Sequence, residues 1–334
     1  MGVSDLQEFS DAYRPVFNVV CPTVCAIGII ANCLNVLVLT RKGMASPTNT
    51  LLVSLALADG FSMASLLTFS ITSHFLDGSH RGSLIAIRIS LYSTILTVLV
   101  HSIAIWLAVV LAMFRALIVY FPFRASSLCT ISKVNVVSLV ISMLLLLIAV
   151  PNAAVYKIEK VHVTYSNDDE ELRYFINVRS NSLWNTNLIL QAVAIKLLPC
   201  LMLLLLNLLL IRGIYYSQRH HEQLAASNGQ TSGSGSVSTS STSMLVAVVT
   251  LSILTETPQG IILFWYGLDH NVAEIYSSLG DFVDTLTIIN SSINFLLYCS
   301  MSSKFRTTFA TLFKKCIGLS PTVLSVNHDM GATQ

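Results

Sequence analysis

Six ionisable side chains stand inside stretches too apolar to hold an uncompensated charge. Lys196 lies in AIKLLP, three residues before Pro199, and Glu256 lies in LTETPQGI, two residues before Pro258 and three before Gln259. Asp59 ends VSLALAD, Asp281 and Asp284 stand three apart in LGDFVDTL, and Arg115 falls in AMFRALIVYFP. Charges in apolar surroundings are costly and demand an opposite charge, a hydrogen-bonding partner or water. Glu256 and Lys196 could pair with each other, or either could meet a charged guest. Gln191, His101 and Gln259 are further polar groups at plausible cavity depth, although a single buried His is more often packed than ligand-binding. Asp281 and Asp284 share a helix face at that spacing. Two nearby carboxylates repel, so a cationic guest would relieve them; Arg88 is the protein cation that could do so instead.

A second set is neutral. Asn32, in GIIANCLNVLVL, and Asn290 and Asn294, one helical turn apart, could form a buried polar cluster with Asp59. Such a cluster can simply join helices, or it could hold a sodium ion near Asp59. No other cofactor is expected. Enzyme chemistry finds no support: GxSxG, HExxH and phosphate-loop patterns are absent. The seven cysteines form no CxxC pair, which argues against a metal site. No basic, aromatic-interleaved patch suggests nucleic acid.

The elements that must carry these residues follow from composition. Hydrophobic residues make up 54% of the 334 and charged residues 11%, against about 25% charged in a typical soluble domain. Lipid is the solvent this implies. A spanning helix needs about 20 mostly apolar residues. Seven runs qualify, at 16–40, 48–73, 85–119, 134–156, 187–213, 244–268 and 275–300. The expected fold is an all-α, seven-transmembrane-helix bundle with a short N-terminal segment, 1–15, outside. The acidic start argues against a cleaved signal peptide. Residues 301–316 read as an amphipathic helix on the inner leaflet, with Phe305, Phe309, Leu312 and Phe313 at helical spacing. Cys316 at its end is a candidate for palmitoylation or a plain thiol; 317–334 is a cytoplasmic tail. Orientation follows from Lys and Arg. With the N-terminus outside, the inner loops carry eleven basic and two acidic residues, a balance of +9. The outer loops carry seven basic and eleven acidic residues, a balance of −4. The Gly/Ser/Thr-rich inner linker 217–243 is expected to be flexible, and KVHVTY, in the outer segment 157–186, reads as a strand.

Asn32, LALAD at Asp59, Arg115, Pro199, Pro258 and the Asn294–Tyr298 pair occur in the order typical of rhodopsin-like G-protein-coupled receptors. Within that class HSIAIWLAVVLAMFR, TETPQGI and LGDFVDTLTIINSSINFLLYCSMSSKFR resemble the myosuppressin and FMRFamide-type peptide receptors, including the nematode serpentine receptor class w. The resemblance implies a plasma-membrane receptor for an extracellular peptide, signalling through a heterotrimeric G protein. Arg115, Pro199, Pro258, Asn294 and Tyr298 are then the activation residues. Asp284, Asp281, Gln259, Glu256, Lys196, Gln191 and His101 are the ligand-site candidates, with Trp265 and Tyr266 receiving an aromatic ring. The chain departs from the broad class at Phe114, Ala116 and Phe295. It also has Ser90 where a cysteine usually begins the third span, and 157–186 contains no cysteine, so the usual outer disulfide is not expected. A chemosensory receptor for an environmental small molecule is the alternative. A transporter is a poorer fit, because neither internal repeats nor paired broken helices are visible.

Overall fold

The computed structural model describes residues 3–77, 83–164, 170–228 and 236–316. Its helices are α1 (Val3–Leu39), α2 (Pro47–Asp77), α3 (Leu84–Tyr120), α4 (Pro122–Leu128), α5 (Ile131–Val155), α6 (Asn181–Leu190), α7 (Leu198–Asn228), α8 (Ser236–Leu268), α9 (Ala273–Met301) and α10 (Ser303–Cys316). A π-helical segment, Gln191–Leu197, joins α6 to α7 into one rod. Seven rods are long and apolar enough to cross a membrane: α1, α2, α3, α5, the α6–α7 rod, α8 and α9. The protein is a multi-pass membrane protein.

Long apolar runs become helices here because only a helix satisfies its own backbone hydrogen bonds in lipid. α2 packs between α1 and α3, α1 closes against α9, and α9 lies against α8. α5 is the rod most exposed to lipid, with 11% of its apolar window buried. At one end Val38, Leu52, Leu55, Leu111, Phe114 and Tyr298 form the largest buried cluster. α10 is locked to that end by Phe305, 1% exposed, whose ring lies 5.9 Å from Phe295 and 5.6 Å from Tyr298. Phe313 points out of the protein.

Helices overrun the expected boundaries. α1 continues through the segment read as an extracellular tail. α7 and α8 extend into the linker read as flexible, leaving 229–235 outside the described residues. Once a span has nucleated a helix, propagation through QRHHEQLAAS adds one hydrogen bond per residue fixed. The short helix α4, between α3 and α5, went unread. The expected strand is β1 (Tyr156–Thr164), antiparallel to β2 (Glu170–Val178), with Tyr156 opposite Val178. Six cysteines, Cys21, Cys25, Cys33, Cys129, Cys200 and Cys299, are unpaired; the side chain of Cys316 lies outside the described set. The hairpin is tied down by other means. β2 rests on α3, Arg179 Nε donates to the Tyr156 carbonyl at 3.0 Å, and Tyr156 meets Trp184 edge-on at 5.8 Å. On its exposed surface the ammonium of Lys157, 2.6 Å away, and the Asn177 amide hold the Glu159 carboxyl below the usual carboxylate range.

Candidate functional site: a polar chain under a cavity

Two helical peculiarities, π turns in the fifth rod and a close approach at a glycine of α8, converge on one buried ion pair. The π turns ahead of Pro199 widen the fifth rod and carry Lys196 on their inner wall. The widening frees backbone carbonyls, one of which, on Ala194, accepts from the Trp106 indole of α3 at 3.2 Å. Gly260 of α8 faces that segment so closely that a Cβ there would stand 2.9 Å from Lys196 Cβ. Glu256, one turn before Gly260, is 1% exposed. Lys196 Nζ donates to Glu256 Oε2 and to Gln259 Oε1 at 2.6 Å. The other Glu256 oxygen is 3.0 Å from His101 Nε2 on α3; a carboxylate only accepts, so that nitrogen carries the proton. Gln259 Nε2 donates in turn to Asp284 Oδ1 of α9 at 3.0 Å. His101, Glu256, Lys196, Gln259 and Asp284 are therefore one continuous chain across four rods.

Above this chain, toward the hairpin, lies a cavity of about 270 Å³. His101, Gln191, Lys196, Gln259 and Asp284 all line it, together with Phe69, Thr94, Thr97, Leu263 and Tyr276. Its wall is thus apolar and hydroxylic with one carboxylate, Asp284, at which a single oxygen is engaged by Gln259. Gln191 is held in place by the Asn152 carbonyl oxygen at 2.9 Å, which also accepts from Asn187 at 3.2 Å. Below the chain a smaller space of about 30 Å³ opens between His101, Glu256, Asp59, Ser252, Asn290 and Asn294.

Several expected placements change. Trp265 is 54% exposed and faces outward, away from the cavity. It is one helical step, about 100°, from Tyr266, and here that step turns its ring to the outside. Tyr266 stacks on Tyr276, ring centroids 5.4 Å apart, and so stands behind the cavity wall. Asp281 opens into a separate chamber between α1, α2 and α9, and Arg88 is exposed, so Arg14 is the cation acting on Asp281. Asn294 donates to Asp59 at 3.1 Å, but Asn290 turns to Ser252 at 3.2 Å. Asn32 donates to the Gly28 and Ser291 carbonyls at 3.0 and 3.2 Å, joining α1 to α9 backbone without reaching Asp59. Asn152 went unread because it stands singly among apolar neighbours, and Asn187 and Tyr276 because their neighbours Asn185, Thr186, Ser277 and Ser278 are themselves polar and leave no one residue marked out.

Residues 18–316 match the sequence pattern of the serpentine type 7TM GPCR chemoreceptor Srw family. The chain belongs to that family. It is a seven-transmembrane G-protein-coupled receptor, a signalling protein. Relatives include sex peptide receptor-related protein 2 of Caenorhabditis elegans, 29% identical over 94% of this chain and 74% of the relative. The sex peptide receptor of Drosophila melanogaster is 27% identical over 90% and 72%. The FMRFamide receptor of the same fly is 25% identical over 87% of this chain and 52% of its own length. In this Srw-family receptor the chain of polar contacts sits on α3, the π-helical segment of the α6–α7 rod, α8 and α9, with the cavity on the side opposite the basic α10.

Proposed function

We propose that this receptor sits in the plasma membrane with its N-terminus outside, binds an extracellular neuropeptide of the FMRFamide or myosuppressin type in the cavity above Lys196, and signals through a heterotrimeric G protein. The observation that carries the ligand reading is Asp284, a carboxylate on the cavity wall with one oxygen held by Gln259. A ligand guanidinium can take such an acceptor in a charge-assisted bond, while Leu263, Phe69 and Tyr276 offer an apolar surface to a neighbouring ring. That relatives are named for peptides supports the class of ligand. Engagement of Asp284 pulls on Gln259, then Lys196 and Glu256, and so on α8 at Pro258 and the α6–α7 rod at Pro199. The ligand shifts the equilibrium only as far as it binds the active arrangement better. Arg115, at the α10 end of α3, is the G-protein contact: Arg115→Ala is expected to keep ligand binding and lose coupling in a nucleotide-exchange assay. Asn294 and Tyr298 anchor α9 at the same end. The 30 Å³ space beside Asp59 has the carboxylate and hydroxyl donors that suit a sodium ion, whose effect on ligand affinity would vanish in Asp59→Asn.

The decisive test is a double-mutant cycle with an Arg-Phe-amide peptide. Asp284→Asn is expected to weaken potency about tenfold or more, equivalent to about 1.4 kcal/mol. Replacing the peptide's Arg should then cost much less in the variant than in the wild type. Additive losses would separate the two groups and place the ligand elsewhere. The family's chemoreceptor description and a 270 Å³ cavity favour a second reading, a small-molecule ligand. Activation by odorants and by none of a panel of amidated peptides would establish it.

A further inference from the structure

A larger chamber, about 410 Å³, lies beside the central cavity between α1, α2 and α9. Phe69 lines both spaces, so the two share a wall one side chain thick. Asp284 serves the inner space and Asp281, one turn away on α9, serves the outer one. Arg14, on α1, also lines the outer chamber, and it is the basic residue whose charge acts on Asp281. Yet the two form no salt bridge, and neither side chain has a hydrogen-bond partner among the described residues. Asp281 is half-buried and Arg14 is exposed at the rim. Phe17, Pro22 and Phe69 supply an apolar surface between them, and the thiol of Cys21 lies in the wall.

The half-buried Asp281 carboxylate and the exposed Arg14 guanidinium line one chamber without pairing, so both are open to a guest. Two singly charged guests would each satisfy one and leave the other. A guest with an ammonium and a carboxylate on one short skeleton satisfies both, ammonium to Asp281 and carboxylate to Arg14, and the latter can be bidentate. We propose that this chamber is a second ligand site of the receptor, selective for small zwitterions of the α-amino-acid type carrying an apolar side chain. Its occupant touches Phe69 and therefore acts on the central site as a modulator. The proposal rests on the chamber alone, so it stands or falls separately from the peptide reading.

Cys21 makes the site measurable without any knowledge of the agonist. Methyl methanethiosulfonate, applied to membranes containing the full chain, transfers its methylthio group to an accessible thiolate. The Cys21 sulfur attacks, a disulfide forms and methanesulfinate leaves. Mass spectrometry of the Cys21 peptide gives the rate. Three probes of similar size are compared: L-phenylalanine, 2-phenylethylamine and 3-phenylpropionate. At saturating concentration L-phenylalanine is expected to slow the reaction about fivefold or more, and the singly charged probes less than about twofold, as occupancy at a given affinity dictates. Arg14→Gln and Asp281→Asn should each abolish protection, read in each variant as the ratio of the Cys21 rates without and with L-phenylalanine, because the Asp281 charge acts on the thiol and its removal also changes the unprotected rate. The exchanged pair R14D with D281R should restore it. Equal protection by all three probes would reduce the chamber to an apolar pocket and overturn the proposal. Cys21 is 1% exposed, so a silent Cys21 is followed by Ser73→Cys on the same chamber wall; a silent cysteine there too would overturn the proposal, because the chamber would then be closed to small solutes.

Discussion

Glu256 is the residue on which the site turns. Both its oxygens are used, by His101 and by Lys196, and it has 1% exposure. Breaking a buried pair on one side leaves an uncompensated charge, a loss of about 3–5 kcal/mol, whereas replacing both partners by well-packed neutral groups is often close to neutral. Glu256→Ala should therefore lower surface expression and detergent thermostability. The double variant Glu256→Gln with Lys196→Met should recover most of both. Equal damage in the two would mean that the pair contributes through something other than charge compensation. That Glu256 and Lys196 could meet was legible from their positions, each within three residues of a proline. That His101 and Gln259 complete the chain was not, since the sequence shows polarity but not which way a side chain points.

The elements place these residues through deviations from the ideal helix. A regular α-helix in the fifth rod would rotate Lys196 relative to Ala192 and Ile195, and the π turns set the angle that brings Nζ to α8. π segments are rare and concentrate at functional sites. Close approach of α8 depends on Gly260, where any side chain would strike Lys196 and Leu197, at 2.9 and 3.0 Å from the new Cβ. Gly260→Val should separate the two rods, at about 1–3 kcal/mol of overpacking. Its signature is a loss of agonist affinity larger than the loss of thermostability, measured by radioligand binding and by thermal inactivation of the same membranes. Unchanged affinity would show that α8 and the π segment need not touch. Pro199 was visible as a helix interruption, but a proline does not reveal whether the chain answers with a kink or with wider turns. Trp265 and Tyr266 show the complementary failure: adjacent aromatics suggested one ring-binding surface, whereas the helical period sends them to lipid and to a second shell of rings.

At the scale of the whole molecule, charge asymmetry is the strongest argument available. The +9 balance of the loops on the α10 side, against −4 on the hairpin side, is what the proposed orientation rests on. An epitope inserted within 217–243 should be reached by antibody after permeabilisation alone, and one at the N-terminus before it. The opposite staining pattern would invert the receptor and with it the assignment of Asp284 to an outward-facing cavity. The seven spans and one strand of the hairpin could be derived from residue order, because lipid enforces helices on apolar runs and hydropathy is a local property. Membership of the receptor class was likewise legible in Asn32, Asp59, Arg115 and the α9 stretch. The tertiary structure alone decided the partners: Asn294 with Asp59 but Asn290 with Ser252, Asp284 with Gln259, Asp281 with a chamber of its own opposite Arg14. Each of those outcomes depends on the rotation of one rod about its axis relative to its neighbours. Rotation is set by packing between rods distant in sequence, and the order of residues along a single rod does not contain it.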